Sequence, residues 1–192
     1  VQGYGETNQT ACEPGTYQNL PGQSRCFDAD PGFYVNTTAA SNQTACDAGT
    51  YQSASASTFC VLTSPGHYTD SPGAHYQKAC PAGSYQPLGG MASCELADPG
   101  HFVEGEGKLS QRACQPGTYN PDEGGDREES CLQAAIGHYV PEGAAAQQFP
   151  CALGTYQRDE GMVACDDASP GHFVNSTGSY RQEACPLGFY QP

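Results

Sequence analysis

Residues 12–35 read Cys-Glu-Pro-Gly-Thr-Tyr-Gln-Asn-Leu-Pro-Gly-Gln-Ser-Arg-Cys-Phe-Asp-Ala-Asp-Pro-Gly-Phe-Tyr-Val, and the rest of the 192-residue chain is built by repeating them. A glycine is followed two residues later by an aromatic, first as Gly15 and Tyr17, then 17 residues on as Gly32 and Tyr34. The pair returns at Gly49, Gly66, Gly83, Gly100, Gly117, Gly137, Gly154, Gly171 and Gly188, with Tyr51, Tyr68, Tyr85, Phe102, Tyr119, Tyr139, Tyr156, Phe173 and Tyr190. One step, from Gly117 to Gly137, is 20 residues instead of 17. Self-similarity at a fixed short period is the mark of a repeat array. Arrays of one small unit serve as spacers, fibres or extended binding surfaces far more often than as enzymes.

Cysteines divide the period into unlike halves, so the full repeat is 34 residues. An A half opens on Cys12, Cys46, Cys80, Cys114, Cys151 or Cys185, reads C-x-x-G-[TSF]-Y, and closes on Cys26, Cys60, Cys94, Cys131 or Cys165. A B half has no cysteine, mostly reads P-G-[HF]-[YF]-[VT], and ends on Gln-x-x ahead of the next opener, at Gln9, Gln43, Gln77, Gln111, Gln148 and Gln182. The repeats are 12–45, 46–79, 80–113, 114–150 (with the three-residue insertion) and 151–184. A partial B half at 1–11 and a partial A half at 185–192 flank them. With no initiator Met and no signal peptide, the chain reads as a segment of a longer mature protein.

Leu, Ile, Val and Phe make up only 23 of 192 residues. That is well under the ~20% below which chains are usually disordered, because too little apolar surface is available to offset conformational entropy. Eleven cysteines at regular spacing supply the missing constraint and point to an oxidising compartment, hence a secreted or cell-surface chain. Zinc is a poor rival, since no C-x-x-C occurs. Spacing alone leaves two regular pairings open: each opener to its own closer, or each closer to the next opener, as in Cys26 with Cys46. The first is preferred: its loop contains a turn signal five residues after the tyrosine (Gly22, Gly90, Gly124, Gly161), and it absorbs the insertion within one loop, 120–130. The pairs are then Cys12–Cys26, Cys46–Cys60, Cys80–Cys94, Cys114–Cys131 and Cys151–Cys165, with the partner of Cys185 expected beyond Pro192.

Pro-Gly recurs at residues 14–15, 31–32, 65–66, 99–100, 116–117 and 170–171. Proline presets φ at the second turn position and glycine supplies positive φ at the third, which suits a type II turn. The residues that follow favour a short strand, and the glycine five after the aromatic turns the chain back. No window has sustained 3.6-residue apolar periodicity. The expected fold is therefore small disulfide-rich β/coil repeats: an elongated linear array of ~17-residue half-units with short β-hairpins and little or no helix. The aromatic is expected against the next unit's Pro-Gly turn and the disulfide.

The A half, Cys12-Glu-Pro-Gly-Thr-Tyr-Gln through Cys26, resembles the first module of tumour-necrosis-factor-receptor cysteine-rich domains and the cysteine-rich repeat of ephrin receptors. The pattern also looks like long tandem arrays in surface proteins of aquatic microbes. The resemblance implies opener-to-closer staples and an extracellular setting. Those families carry a further C-x-x-C after the closer. Here that place holds Ala29-Asp30-Pro31, Ala97-Asp98-Pro99 or Ala168-Ser169-Pro170, so the B half resembles a module that has lost its own staple.

No nucleophile–base–orienter set, phosphate loop or long apolar span occurs, so the reading is no enzyme, no cofactor and no membrane insertion. His67, His101, His138 and His172 share one B-half slot, and a ring packed beside the aromatic outweighs a metal ladder. The acidic run 122–129 reads as a solvated loop ahead of a Ca2+ site, its spacing fitting no EF-hand loop. A net charge of −14 argues against nucleic acid and anionic membranes. Sequons at Asn8, Asn36, Asn42 and Asn175 fall in two repeat slots and point to N-glycans. Thr37, Thr38, Thr44 and residues 53–58 could carry O-glycans. The expected function is a structural component of an extracellular or cell-surface filament or rod, disulfide-stapled and glycosylated. Self-association or continuation into a longer fibre would supply its partners. The alternative is the stalk or ligand-binding ectodomain of a receptor or adhesin, with its site in the irregular repeat.

Overall fold

A computed structural model describes residues 10–186; the sequon at Asn8, Gln9 and the Gly188–Tyr190 copy of the motif lie outside them. Among the described residues ten two-stranded antiparallel hairpins follow one another. Strand β1 (Thr16–Tyr17) pairs with β2 (Phe27–Asp28), β3 (Phe33–Tyr34) with β4 (Thr44–Ala45), and the series ends with β19 (His172–Phe173) on β20 (Glu183–Ala184). One half-unit is one hairpin. Among the described residues the only helical element is a single 3-10 turn, Glu128–Ser130.

Local chemistry starts each hairpin. Thr16 N–H donates to the Glu13 carbonyl at 3.0 Å, closing a four-residue turn around Pro14 and Gly15. Gly15 sits at φ +91, the type II value that a side chain resists. The first strand follows at once, and the chain turns back through a second residue at positive φ five after the aromatic. Glycine fills that slot at Gly22, Gly73, Gly90, Gly107, Gly124, Gly161 and Gly178, and alanine at Ala39, Ala56 and Ala144. The B halves thus use the same return turn as the A halves, with alanine disguising it in three hairpins.

The chain forms two compact units, Val1–Cys80 with Gln86–Cys94, and Pro81–Tyr85 with Glu95–Pro192. In the first, successive hairpins are joined by a repeating set of backbone hydrogen bonds. Gly15 N–H donates to Val35 O, Gly32 to Gln52, Gly49 to Thr69 and Gly66 to Gln86, at 2.7–2.9 Å. The return-turn amides reach back to the opener slot, Ala39 to Cys12 O and Gly73 to Cys46 O. The second unit repeats both sets: Gly83 to Val103, Gly117 to Val140 and Gly154 to Val174, and in return Gly124 to Ala97 O and Gly161 to Ala134 O. The turn glycines are also close-approach points. A Cβ on Gly15 would strike the Ala56 carbonyl, and one on Gly117 the Gly161 carbonyl, each two hairpins further along.

In each unit the core is two sets of small or polar buried residues rather than a cluster of large apolar groups. One holds the opener slots: Cys12, Ala29, Cys46 and Thr63 in the first unit, Ala97, Cys114, Ala134 and Cys151 in the second, all buried. The other holds the residue after each aromatic, such as Val35, Gln52 and Thr69, or Val103, Asn120, Val140 and Gln157. The aromatics are mostly half-buried and lie against their own cross-strand partners. Tyr17 meets Phe27 at 6.1 Å between ring centroids, Tyr139 meets Phe149 at 6.0 Å, and the Arg112 guanidinium sits 5.0 Å over Phe102. The place expected for the aromatic, on the glycine of the turn, is approached instead by a backbone carbonyl from two hairpins further along, as at Gly15 and Gly117.

Candidate functional site

Each of the five A halves from Cys12 to Cys165 is closed by a covalent staple. The structure joins Cys12 to Cys26, Cys46 to Cys60, Cys80 to Cys94, Cys114 to Cys131 and Cys151 to Cys165, with Cα–Cα distances of 5.6–5.8 Å. Among the described residues Cys185 is the one cysteine outside these pairs. Loops of this size each contribute about 3 kcal/mol by restricting the unfolded chain.

The B half replaces the staple with an amide clamp. Its opener slot holds Ala29, Thr63, Ala97, Ala134 or Ala168, and its closer slot holds Gln43, Gln77, Gln111, Gln148 or Gln182. Gln43 Oε1 accepts from Asp30 N–H at 2.7 Å while its Nε2 donates to Asp30 Oδ2 at 2.7 Å. Gln111 grips Asp98 the same way, at 2.6 Å on both sides. Gln77 and Gln182 hold Ser64 and Ser169 through the backbone N–H and, more loosely, the hydroxyl. Gln148 holds the Ala135 N–H. Each clamp spans 13 residues, nearly the 14 of a regular staple. A hydrogen bond nets about 1 kcal/mol, so a two-bond clamp is weaker than a staple but works in the same place.

A second amide set closes the A-half loops. Gln52 donates to Phe59 O at 2.9 Å and accepts from Ala54 N–H at 3.0 Å. Gln86 and Gln157, both about 1% exposed, do the same with Ser93 and Leu88, and with Ala164 and Asp159. The sequence marks these glutamines only as regular punctuation; their bonding partners are not local enough to read from spacing.

The histidines lock turns. His67, His101, His138 and His172 are half-buried, each with Nδ1 3.1–3.3 Å from the carbonyl two residues earlier. Among the described residues no group of three or more His, Cys, Asp or Glu side chains is gathered as a metal site would need. Asn36, Asn42 and Asn175 are exposed.

The irregular repeat differs in one place. Gly124 keeps the return-turn slot and both of its regular contacts, donating to Ala97 O and meeting Gly83 through its carbonyl. The three extra residues are therefore looped out between Gly125 and Cys131. There Arg127 grips Asp126 with two bonds of 2.8 and 2.9 Å, followed by the 3-10 turn. That pairing holds the Asp126 carboxyl below the ordinary carboxylate range. Asn120 stands where other A halves have glutamine; too short to cross the enlarged loop, it donates to His101 O at 3.0 Å instead. The looped-out segment walls a hollow of about 240 Å3 against the preceding B-half hairpin. Hollows of similar size lie in the hairpin loops 69–78 and 173–183, and a larger one of about 670 Å3 lies at the equivalent place in the first A half, between Thr10, Ala11 and the Cys12–Cys26 loop.

Among the described residues no helix is long and apolar enough to cross a membrane. Neither a protein-family model nor a curated protein matches the chain.

Proposed function

We propose that the chain is a structural component of an extracellular or cell-surface filament. The observation that carries this reading is the recurrence, hairpin after hairpin within each unit, of one set of backbone bonds: turn glycine forward, return turn backward. Such bonding lets repeats be added without any new interface. Five staples suit an oxidising exterior. Exposed, in-register asparagines suit a sugar coat over side chains such as Leu62, Leu88 and Leu153, each more than 60% exposed. The likeness of the A half to receptor cysteine-rich modules is one of pattern and supports the extracellular setting. Immunogold labelling of native material with antibody to this chain tests the proposal. Gold spaced along continuous surface filaments supports it; gold confined to the cell interior or to isolated globular particles overturns it.

A further inference from the structure

Four of the five staples are braced by a side chain, and one is not. In the regular A halves the carbonyl just before the closing cysteine accepts from that half's own glutamine. Arg25 O accepts from Gln18 at 2.6 Å, Phe59 O from Gln52 at 2.9 Å, and Ser93 O from Gln86 and Ala164 O from Gln157 at 3.0 Å. Strand pairing holds the residue just after the closer, as with Phe27 on Tyr17 and Asp166 on Tyr156. The closing sulfur is thus fixed from both sides. In the irregular half Asn120 keeps only the short arm of this brace, accepting from Asp122 N–H at 3.2 Å, while its amide donates to His101 O. Among the described residues nothing donates to the Ser130 carbonyl. On that side Cys131 is bonded only to the looped-out segment, its N–H donating to Glu128 O at 2.9 Å. Access does not set this half apart, since the hollow beside Cys12–Cys26 is the larger. The missing brace does. In all five staples the opener is buried and the closer half-buried, so an incoming nucleophile meets the closing sulfur.

We propose that Cys131 is a site of covalent modification by small thiols, through exchange at the Cys114–Cys131 staple. A thiolate attacks the Cys131 sulfur and forms a new S–S bond there. The old bond breaks, and its electron pair leaves on the Cys114 sulfur, which takes a proton from water. The products are a mixed disulfide at Cys131 and a thiol at Cys114, with no net oxidant needed. Exchange parts two sulfurs that were bonded, so the closer has to swing aside. A braced closer must break its glutamine bond to do so, and Cys131 has none to break. Afterwards the brace keeps a regular loop shut, with its two sulfurs adjacent, which favours return to the staple; the loop 115–130 has no such hold. Glu128 and Glu129 outnumber Arg112 around the hollow that Cys131 lines, and Arg127 is taken up by Asp126. That charge repels an anionic thiol and favours a neutral or cationic one. The inference goes beyond the filament reading and does not rest on it.

The test is brief exposure of the whole oxidised chain, at low ionic strength and mildly alkaline pH, to cysteamine, mercaptoethanol or mercaptoethanesulfonate. Freed thiols are trapped with iodoacetamide, and the state of each cysteine is assigned by peptide mass. Cys131 is expected to carry the thiol, and Cys114 the trapping group, roughly fivefold sooner than any regular pair reacts, the hold of about one hydrogen bond. The rate relative to Cys46–Cys60 in the same chain is expected to fall from the cationic to the anionic reagent. Gln157→Asn, which removes the long arm of a regular brace, should speed exchange at Cys151–Cys165 by a similar factor and leave the other staples unchanged. Asn120→Gln with deletion of residues 126–128 should slow Cys114–Cys131 to the regular rate. The proposal is overturned if Cys12–Cys26 or another regular staple reacts first, if the anionic thiol gives the highest relative rate, or if Gln157→Asn leaves Cys151–Cys165 as slow as before.

Discussion

Gln111 stands where an A half has its closing cysteine, and Ala97 where it has its opener. The two kinds of half-unit are therefore the same hairpin closed by different chemistry. If so, the double variant Ala97→Cys/Gln111→Cys should form a sixth disulfide without rearrangement, since the equivalent Cα pairs in the A halves lie 5.6–5.8 Å apart. Peptide mapping under non-reducing conditions should recover residue 97 linked to residue 111, and the melting temperature should rise. Two free thiols at those positions would show that the slots are not equivalent. Ionic side chains play a smaller part at this scale. Lys78 donates to both Asp70 carboxylate oxygens, at 3.1 and 2.9 Å, and holds that carboxyl below its ordinary range. A depressed carboxyl pKa contributes stability above its unfolded value, and the contribution is lost as pH falls through the folded one. Carbon-detected titration of Asp70 should therefore give a midpoint below about 3.9, the usual value, and Lys78→Met should raise it, with the Ser71 hydroxyl still donating to the carboxylate. An unshifted midpoint in the parent chain would show that this exposed pair does not persist in solution.

The hairpin is held in place by its turn glycine more than by its two-residue strands. Gly117 and Gly161 both have positive φ, +86 and +72, so alanine at either costs about 1–2 kcal/mol of backbone strain. They differ in surroundings: a Cβ at 117 meets the Gly161 carbonyl, a rigid backbone group, whereas a Cβ at 161 meets only the flexible Gln133 side chain at 3.6 Å. Gly117→Ala should therefore lower the denaturation midpoint clearly more than Gly161→Ala, with equal losses contradicting the close seating of the Gly161 carbonyl on the Gly117 turn. This contrast also shows what the sequence could and could not tell. The period, the short hairpins and the type II turns were legible because Pro-Gly, the aromatic and the cysteines recur at fixed short spacing and act locally. Ala39, Ala56 and Ala144 hid the return turn because alanine carries no turn signal, and they adopt φ of 53–60 under the hold of neighbouring backbone bonds. The carbonyl seated on a turn glycine such as Gly15 comes from Ala56, about 41 residues away, and no local pattern encodes it. The glutamine clamps and the hollow at the insertion were missed for the same reason.

Across the whole molecule the staples have to compensate for a core with few large apolar groups. Five of them at about 3 kcal/mol each compare with a net stability of about 5–15 kcal/mol for ordinary domains, so their loss should be decisive. Complete reduction at neutral pH should remove amide exchange protection throughout both units, clamps included; persistent protection of the B halves would show that the amide clamps suffice alone. The central claim is that, within each unit, each hairpin is bonded to the next by one transferable set of backbone contacts, so that repeats can be added without a new interface. Small-angle X-ray scattering on the 192-residue chain, and on chains carrying one, two and three extra copies of residues 46–79, tests it most directly. The proposed filament role predicts a radius of gyration well above the ~16 Å of a compact domain of this length, and a maximum dimension that grows by equal steps. A radius near the compact value that rises only with the 0.38 power of length would contradict it.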